Sequence, residues 1–302
     1  MVKRFIYIVF LLLFFSTTMM SQVRRHRANR DTRHYFYSNI TPGYSIIFDD
    51  FENTKAYGGF GSIVGLGYSF VAPYFWLEVG AEMQSLSSCM SITDELSDKR
   101  IMDTEGDEVV YHYNKDVWYD CQDLLYVGVP VMFGYRHYKG FSIGVGFKCS
   151  FNVLADARNR LRYSISATYN DYIEDFEDMP NHFYGDYDIY VRKGISDKVV
   201  RQKGAVCLEA GYVVYDNGKN YRSVRNRHVL FKLSGYLECG VNNVMSNREV
   251  RELYTLNSSN PAELTTKPYY LSNSTRSKRT LPFMVGVRWT YTLATITCRT
   301  CK

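Results

Sequence analysis

Residues 140–153 read GFSIGVGFKCSFNV, and two registers interleave through them. One carries Phe141, Ile143, Val145, Phe147, Cys149, Phe151 and Val153. The other carries Gly140, Ser142, Gly144, Gly146, Lys148, Ser150 and Asn152. A period of two held for this long predicts a β-strand with two unlike faces. One face is apolar throughout. The opposite face is small or polar, with a single lysine in its middle.

The same alternation recurs along the chain. Residues 58–70 set Phe60, Val64, Leu66, Tyr68 and Phe70 against Gly59, Gly61, Gly65 and Gly67. Residues 74–86 set Phe75, Leu77, Val79, Ala81 and Met83 against Glu78, Gly80 and Glu82. Residues 124–138 set Val127, Val129, Val131, Phe133 and Tyr135 against Gly128, Gly134 and Arg136. Residues 205–215 set Val206, Leu208, Ala210, Tyr212 and Val214 against Glu209 and Gly211. Residues 228–242 set Val229, Phe231, Leu233, Leu237 and Val241 against Lys232, Ser234 and Glu238. Residues 281–293 set Leu281, Phe283, Val285, Val287, Trp289, Tyr291 and Leu293 against Gly286, Arg288 and Thr290. A weaker run at 43–51 has Tyr44, Ile46 and Phe48 in phase. With the opening stretch these make eight strands, an even number.

Their spacing predicts a meander. Residues 71–73, 138–140 and 216–227 make turns, and 50–57 makes a short first link. Three long connections, 89–122, 154–203 and 244–280, fall on the other side. Tight turns at one rim and large loops at the other are the pattern of membrane barrels. Structureless loops of that length are uncommon within a compact water-soluble domain. Volume then assigns the faces. An eight-stranded barrel has an interior just wide enough for side chains to fill. The Phe, Tyr, Leu and Met of the apolar register would overfill it, whereas the glycine-rich register fits. The apolar face is therefore expected outside, against lipid.

The inward register carries Glu78, Glu82, Glu209 and Glu238 against Arg136, Lys148, Lys232 and Arg288. Buried charges persist only when paired. Neighbouring strands predict Glu78 near Arg136, Lys148 near Glu209, Glu209 near Lys232, and Glu238 near Arg288. A structural plug and a gated pathway whose pairs exchange are both compatible with this set. Both exclude a wide resting channel.

The first residues, MVKRFIYIVFLLLFFSTTMMSQ, have a basic start and an apolar run that ends in small and polar residues. This is the pattern of a secretory signal peptide over residues 1–21. The chain then divides into a basic periplasmic segment at 22–42, a barrel at 43–294 and a tail at 295–302. No later stretch is apolar for long enough to make a membrane helix. A membrane-embedded mature chain must then be a closed β-barrel. The formal charge of +5 is modest and calls for no nucleic-acid partner. The 27 tyrosines suit strands and half-wet interfaces.

Seven cysteines in an exported chain raise disulfides. Cys89 and Cys121 stand at the two feet of one long connection and are the best pair, with free thiols as the alternative. Cys298 and Cys301 form a C-x-x-C in the tail, weak evidence for zinc, which takes four ligands. The six histidines show no metal spacing. His112 and His182 fall in outer connections, too little to carry a lipid-modifying active site. The acidic, aromatic run YNDYIEDFEDMPNHFYGDYDIY fits a solvated surface loop better than a Ca²⁺ site. The basic stretches VRRHRANRDTRH and GKNYRSVRNRH share the turn-side rim, placed to meet anionic head groups or an acidic partner.

The segment LLYVGVPVMFGYR, its tight turn into GFSIGVGFKCSF, and the closing strand LPFMVGVRWTYTL resemble the small outer-membrane β-barrels of Bacteroidetes-type bacteria, loosely the PorT-like group. The resemblance covers the strands from about residue 58 onward and is architectural. It implies location in the outer membrane, and for some members a place in secretion or gliding machinery. It transfers no residue-level role. The tail ATITCRTCK departs from the family, whose barrels end at the last strand. The combined expectation is an all-β, eight-stranded antiparallel up-and-down transmembrane β-barrel with long extracellular loops. It needs no cofactor or metal and is no enzyme. Its expected contacts are outer-membrane lipid and an envelope or secretion-machinery protein. Its expected role is structural or accessory within an envelope, secretion or surface assembly. A narrow gated channel is the alternative, and a lipid-modifying enzyme a more distant one.

Overall fold

A computed structural model describes residues 33–49, 54–72, 74–93, 95–102, 108–137, 139–169, 185–196, 199–216, 228–245, 254–257, 263–266 and 279–296. These residues form twelve strands. In chain order they are β1 (Arg33–Asp49), β2 (Thr54–Val71), β3 (Phe75–Ile92), β4 (Lys99–Met102), β5 (Glu108–Arg136) and β6 (Phe141–Tyr169). There follow β7 (Gly185–Gly194), β8 (Gln202–Asp216), β9 (His228–Gly240), β10 (Tyr254–Leu256), β11 (Leu264–Thr266) and β12 (Thr280–Ile296). The fold is all-β, and every pairing is antiparallel.

Eight strands close on themselves. The order β5-β3-β2-β1-β12-β9-β8-β6 is completed by direct pairing of β5 with β6. The period-two pattern forces unlike faces on this ring, and the faces are inverted relative to a water-soluble protein. Phe141, Ile143, Phe147, Phe151 and Val153 are exposed, as are Val127, Val129, Val131 and Phe133. So are Leu208, Leu233, Val285, Val287 and Trp289. Ser142, Lys148 and Ser150 on the opposite register are buried. The inward glycines make room for a few large inward rings. A Cβ on Gly144 would stand 2.3 Å from the Trp76 ring, and one on Gly134 2.6 Å from it.

The first strand starts earlier than the expected boundary at residue 43. Pro42 and Gly43 look like a break, and Tyr35 and Tyr37 put aromatics on the register opposite Phe36. Both features mask the period. Yet Tyr35, Tyr37, Asn39 and Thr41 are buried while Phe36 and Ile40 are exposed. β1 pairs with β2 without interruption from Arg33 to Ser45. The closing strand likewise runs to Ile296, past residue 294.

The connections 89–122 and 154–203 are not loops for most of their length. β5 and β6 are 29 residues each, far longer than their ring neighbours. Beyond the ring they continue as a ribbon, flanked by β4 on one side and β7 on the other. The simple alternation fails because the register shifts at Lys115/Val117 and at Leu125/Tyr126. Such a bulge moves the buried register from one parity to the other. On β6 the buried residues are Ser142 and Ser150 before the shift, and Ala155, Ala157, Leu161, Tyr163, Ile165 and Ala167 after it.

The polarity reverses at the same place. Within the ring the enclosed face is polar. Within the ribbon it becomes a core of Val109, Tyr111, Tyr113, Trp118, Leu161 and Tyr163. The hairpin β10–β11 packs over this core. Trp118 meets Tyr254 edge-on at 6.0 Å, and Tyr163 stacks on Tyr187 at 5.4 Å. The outer face of the ribbon is charged. Arg158 pairs with Asp123, Arg160 and Arg162 with Asp188, and Arg192 with Asp156.

Candidate functional site

The enclosed face of the ring carries a chain of charges of alternating sign. Strand alternation aims Glu78 and Glu82 (β3), Lys148 (β6), Lys203 and Glu209 (β8), Lys232 and Glu238 (β9) and Arg288 (β12) into one narrow interior. All eight are buried. Starting at the turn-side rim, the Lys232 ammonium contacts both Glu78 carboxylate oxygens, at 3.0 and 3.1 Å. It also meets Glu209 at 2.8 Å. Arg288 lies 3.7 Å from Glu209 and donates to Glu82 at 2.9 Å. Lys148 lies 3.5 Å from Glu82 and also pairs with Glu238. Lys203 closes the series on Glu238.

Neutral groups complete it. Asn39 donates to Glu82 at 3.0 Å, Arg288 to Thr41 at 3.1 Å, and Gln84 to Glu238 at 3.1 Å. Two rings stack on the cations. Lys232 lies 4.3 Å from the Trp76 ring centre, and the Arg288 guanidinium 3.8 Å from that of Tyr236. A charge held here without its partner would cost several kcal/mol, so the network holds together as a unit.

Seven of the eight expected lumen residues lie in this chain, but most of their expected partners differ. Glu209 does meet Lys232. Glu78 meets Lys232 rather than Arg136. Lys148 meets Glu82 and Glu238 rather than Glu209, and Arg288 meets Glu82 and Glu209 rather than Glu238. The expectation used neighbouring strands alone. In so narrow a ring, long side chains reach across the lumen to strands that do not pair with their own. Arg136 stands apart, at the turn-side rim. Its guanidinium donates to the Ala72 carbonyl at 3.3 Å and lies 5.6 Å from the Tyr215 ring centre. Lys203 takes its place in the balance. Its parity with Ala205, Cys207 and Glu209 signals an inward position, but it precedes the expected start of that strand at 205.

Cys89 and Cys121 face each other in the β3–β5 ladder and are joined by a disulfide. The bond clamps the foot of the ribbon to the ring. Replacing both cysteines by serine is expected to lower stability by about 2–4 kcal/mol, through the freed loop in the unfolded chain. Urea melting under oxidising and reducing conditions checks this. The serine variant should melt early in both, and the parent chain only when reduced. The Cys-x-x-Cys, His182, the signal segment and most of the acidic run lie outside the described residues. His112 lies between Asp98 and Thr168, 3.0 Å from each. Among the described residues no cluster of three or more His, Cys, Asp or Glu is placed to hold a metal.

Two titrating groups on the ribbon are displaced. Hydrogen bonds from Arg160 hold the exposed Asp188 carboxyl down to about 2. Burial pushes the Tyr163 phenol up to about 12.

Among the described residues the site thus offers a charge-balanced interior held by ion pairs, and by the hydrogen bond from Asn39, across six strands of the ring. No protein-family model matches the chain, and no characterised protein matches it in sequence.

Proposed function

We propose that the chain is an integral outer-membrane β-barrel with a closed lumen, serving as a structural or accessory part of an envelope, secretion or surface assembly. The observation that carries the reading is the polarity reversal along β5 and β6. Up to residue 153 the outward face is apolar and the enclosed face charged. Beyond it the same two strands have a charged outward face and an enclosed face dominated by apolar and aromatic side chains, with Asp120, Gln122 and Asn159 buried among them. One continuous ribbon needs two solvents to satisfy both halves, hydrocarbon around the ring and water around the extension. The outward run from Phe141 to Val153 is about 40 Å long at ~3.3 Å per residue. At the 35–45° tilt usual for such strands that is roughly 30 Å of height, matching a bilayer core.

The unbroken ion-pair chain supports a lumen that does not conduct at rest. Function then resides outside the membrane, in the disulfide-clamped extension. This favours partner recognition over transport. Heat modifiability tests the membrane assignment. Unboiled protein from the outer-membrane fraction should migrate faster in SDS gels than boiled protein. Recovery from the soluble periplasmic fraction with no mobility difference would overturn it. Cross-linking in whole cells tests the assembly role, which predicts a discrete envelope partner joined to the extension. Only self-adducts would remove that role while leaving the barrel intact.

A further inference from the structure

β7 (Gly185–Gly194) stands at one end of the large sheet, and among the described residues its only neighbour there is β6. An exposed edge offers a row of open backbone groups to another strand, so proteins shorten, bulge or charge such edges. The opposite end of the sheet is defended in this way. β4 is four residues long and carries Lys99 and Arg100. β7 runs for ten residues, holds one unbroken register with β6 and contains no proline.

The register tells which backbone groups are open. The Ile195 amide donates to the Ala155 carbonyl at 2.8 Å, and that pair continues the β6–β7 register. Backbone groups alternate sides along an antiparallel strand. Tyr187, Ile189 and Val191 therefore bond to β6, while Asp186, Asp188, Tyr190 and Arg192 turn their N–H and C=O groups to the open edge. The enclosed face is incompletely covered there too. Tyr187, Ile189 and Val191 are only partly buried, beside Tyr163 and Leu161 of β6 at 1 % and 0 % exposure.

The order of charges along β7 names the occupant. The strand reads GDYDIYVRKG, with its acids in the first half and its bases near the end. Laid antiparallel on a copy of itself, acids meet bases. Laid parallel, like charges meet. Among the described residues Asp186 has no ion-pair partner, and Arg192 donates from one nitrogen to Asp156. A pairing centred on Ile189 sets Asp186 against Arg192 at both ends, Asp188 against Tyr190, and Tyr187 against Val191. A pairing centred on Tyr190 sets Arg192 against Asp188, which Arg160 and Arg162 already hold. A two-fold axis requires such reciprocity, and each β7 supplies both halves of it.

We propose that two copies of the chain join edge to edge through β7, antiparallel and centred on Ile189, into one sheet continuous across both extensions. The junction carries about eight backbone hydrogen bonds, two for each opposed pair of edge-facing residues. Its axis crosses the sheet, so the two rings project from opposite ends. Copies side by side in one bilayer cannot reach this arrangement, whereas copies in detergent or in facing bilayers can. The pairing belongs to the extension, so its failure would leave the membrane reading untouched, and the reverse holds too.

Sedimentation velocity of the full-length protein in detergent tests it. Asp186→Arg and Arg192→Asp each set like charges against one another at both ends of the junction. Each alone should associate at least about tenfold more weakly than the parent. An equimolar mixture of the two variants sets an Arg against an Asp at each end and should dimerise like the parent. Restoration in the mixture also shows that both variants are folded. Tyr190→Pro removes an edge-facing N–H without touching the β6 ladder and should be a monomer. Ile189→Cys, on the axis, should give a reducible dimer on oxidation, and Tyr187→Cys should not. A monomeric parent, a mixture no better than its components, or a dimer that survives Tyr190→Pro would overturn the proposal. So would a dimer locked through Tyr190→Cys in place of Ile189→Cys, since that register forfeits the Asp186–Arg192 pairs.

Discussion

Replacing Glu238 by alanine is expected to lower the unfolding free energy by about 3–5 kcal/mol, the usual cost of stripping a buried charge of its partner. Glu238 bonds to Lys203, Lys148, Gln84 and the Tyr236 hydroxyl. Its removal leaves the two ammonium groups in a water-poor interior with a single carboxylate, Glu82, in contact with Lys148. Lys203 keeps the Gln84 amide oxygen, at 3.1 Å, and the Tyr126 ring, whose centre lies 5.2 Å away, but no carboxylate that it contacted before. Urea unfolding in lipid vesicles, followed by tryptophan fluorescence, measures the change. The control is the double variant Glu238→Leu with Lys203→Met. It removes a charge of each sign and should recover part of the loss, because the penalty belongs to the unpaired charge rather than to missing attraction. A single variant as stable as the parent would mean that water reaches this part of the lumen. The closed interior would then have to be abandoned.

Leu208→Arg should cost about 2–4 kcal/mol in a bilayer, the penalty for a cation on the lipid face near mid-depth. Leu208 is 47 % exposed, in the middle of β8 and opposite Val145 and Leu237. The matched control is Tyr190→Arg on the ribbon. Tyr190 is 58 % exposed but lies in the part of the sheet with a charged outer face. That substitution should stay within about 0.5 kcal/mol. Vesicle-reconstituted protein and urea titration serve for both. Equal tolerance at the two positions would show that the apolar belt faces water, and the membrane reading would fall.

The ring was legible from the sequence wherever the two registers differ in both size and polarity. The stretch 140–153 is the clearest case, since Phe and Val alternate there with Gly and Ser. It was least legible at 33–42, where aromatics occupy both registers and Pro42 suggests an end. It was misread beyond Val153 and before Leu124. There a bulge shifts the buried parity, after Val153 on β6 and before Val117 on β5, and the character of the two faces reverses as well. A stretch such as RNRLRYSISATY alternates too, with Leu161, Tyr163 and Ile165 now on the buried side and Arg158, Arg160 and Arg162 outside. Period alone cannot tell which register is enclosed. Only the change of parity across the bulge does.

The amino-acid order determined the all-β class, the alternation of faces, the eight ring strands and the inward placement of Glu78, Glu82, Lys148, Glu209, Lys232, Glu238 and Arg288. These follow from local geometry, because side chains on a strand alternate whatever surrounds it. It also brought Cys89 and Cys121 to the feet of one connection. Tertiary structure alone decided which charge meets which, the entry of Lys203 and the exclusion of Arg136. Those depend on distances across a closed lumen, between residues as far apart in sequence as Glu82 and Arg288. Closure of the ring sets such distances, and no stretch of neighbouring residues carries them.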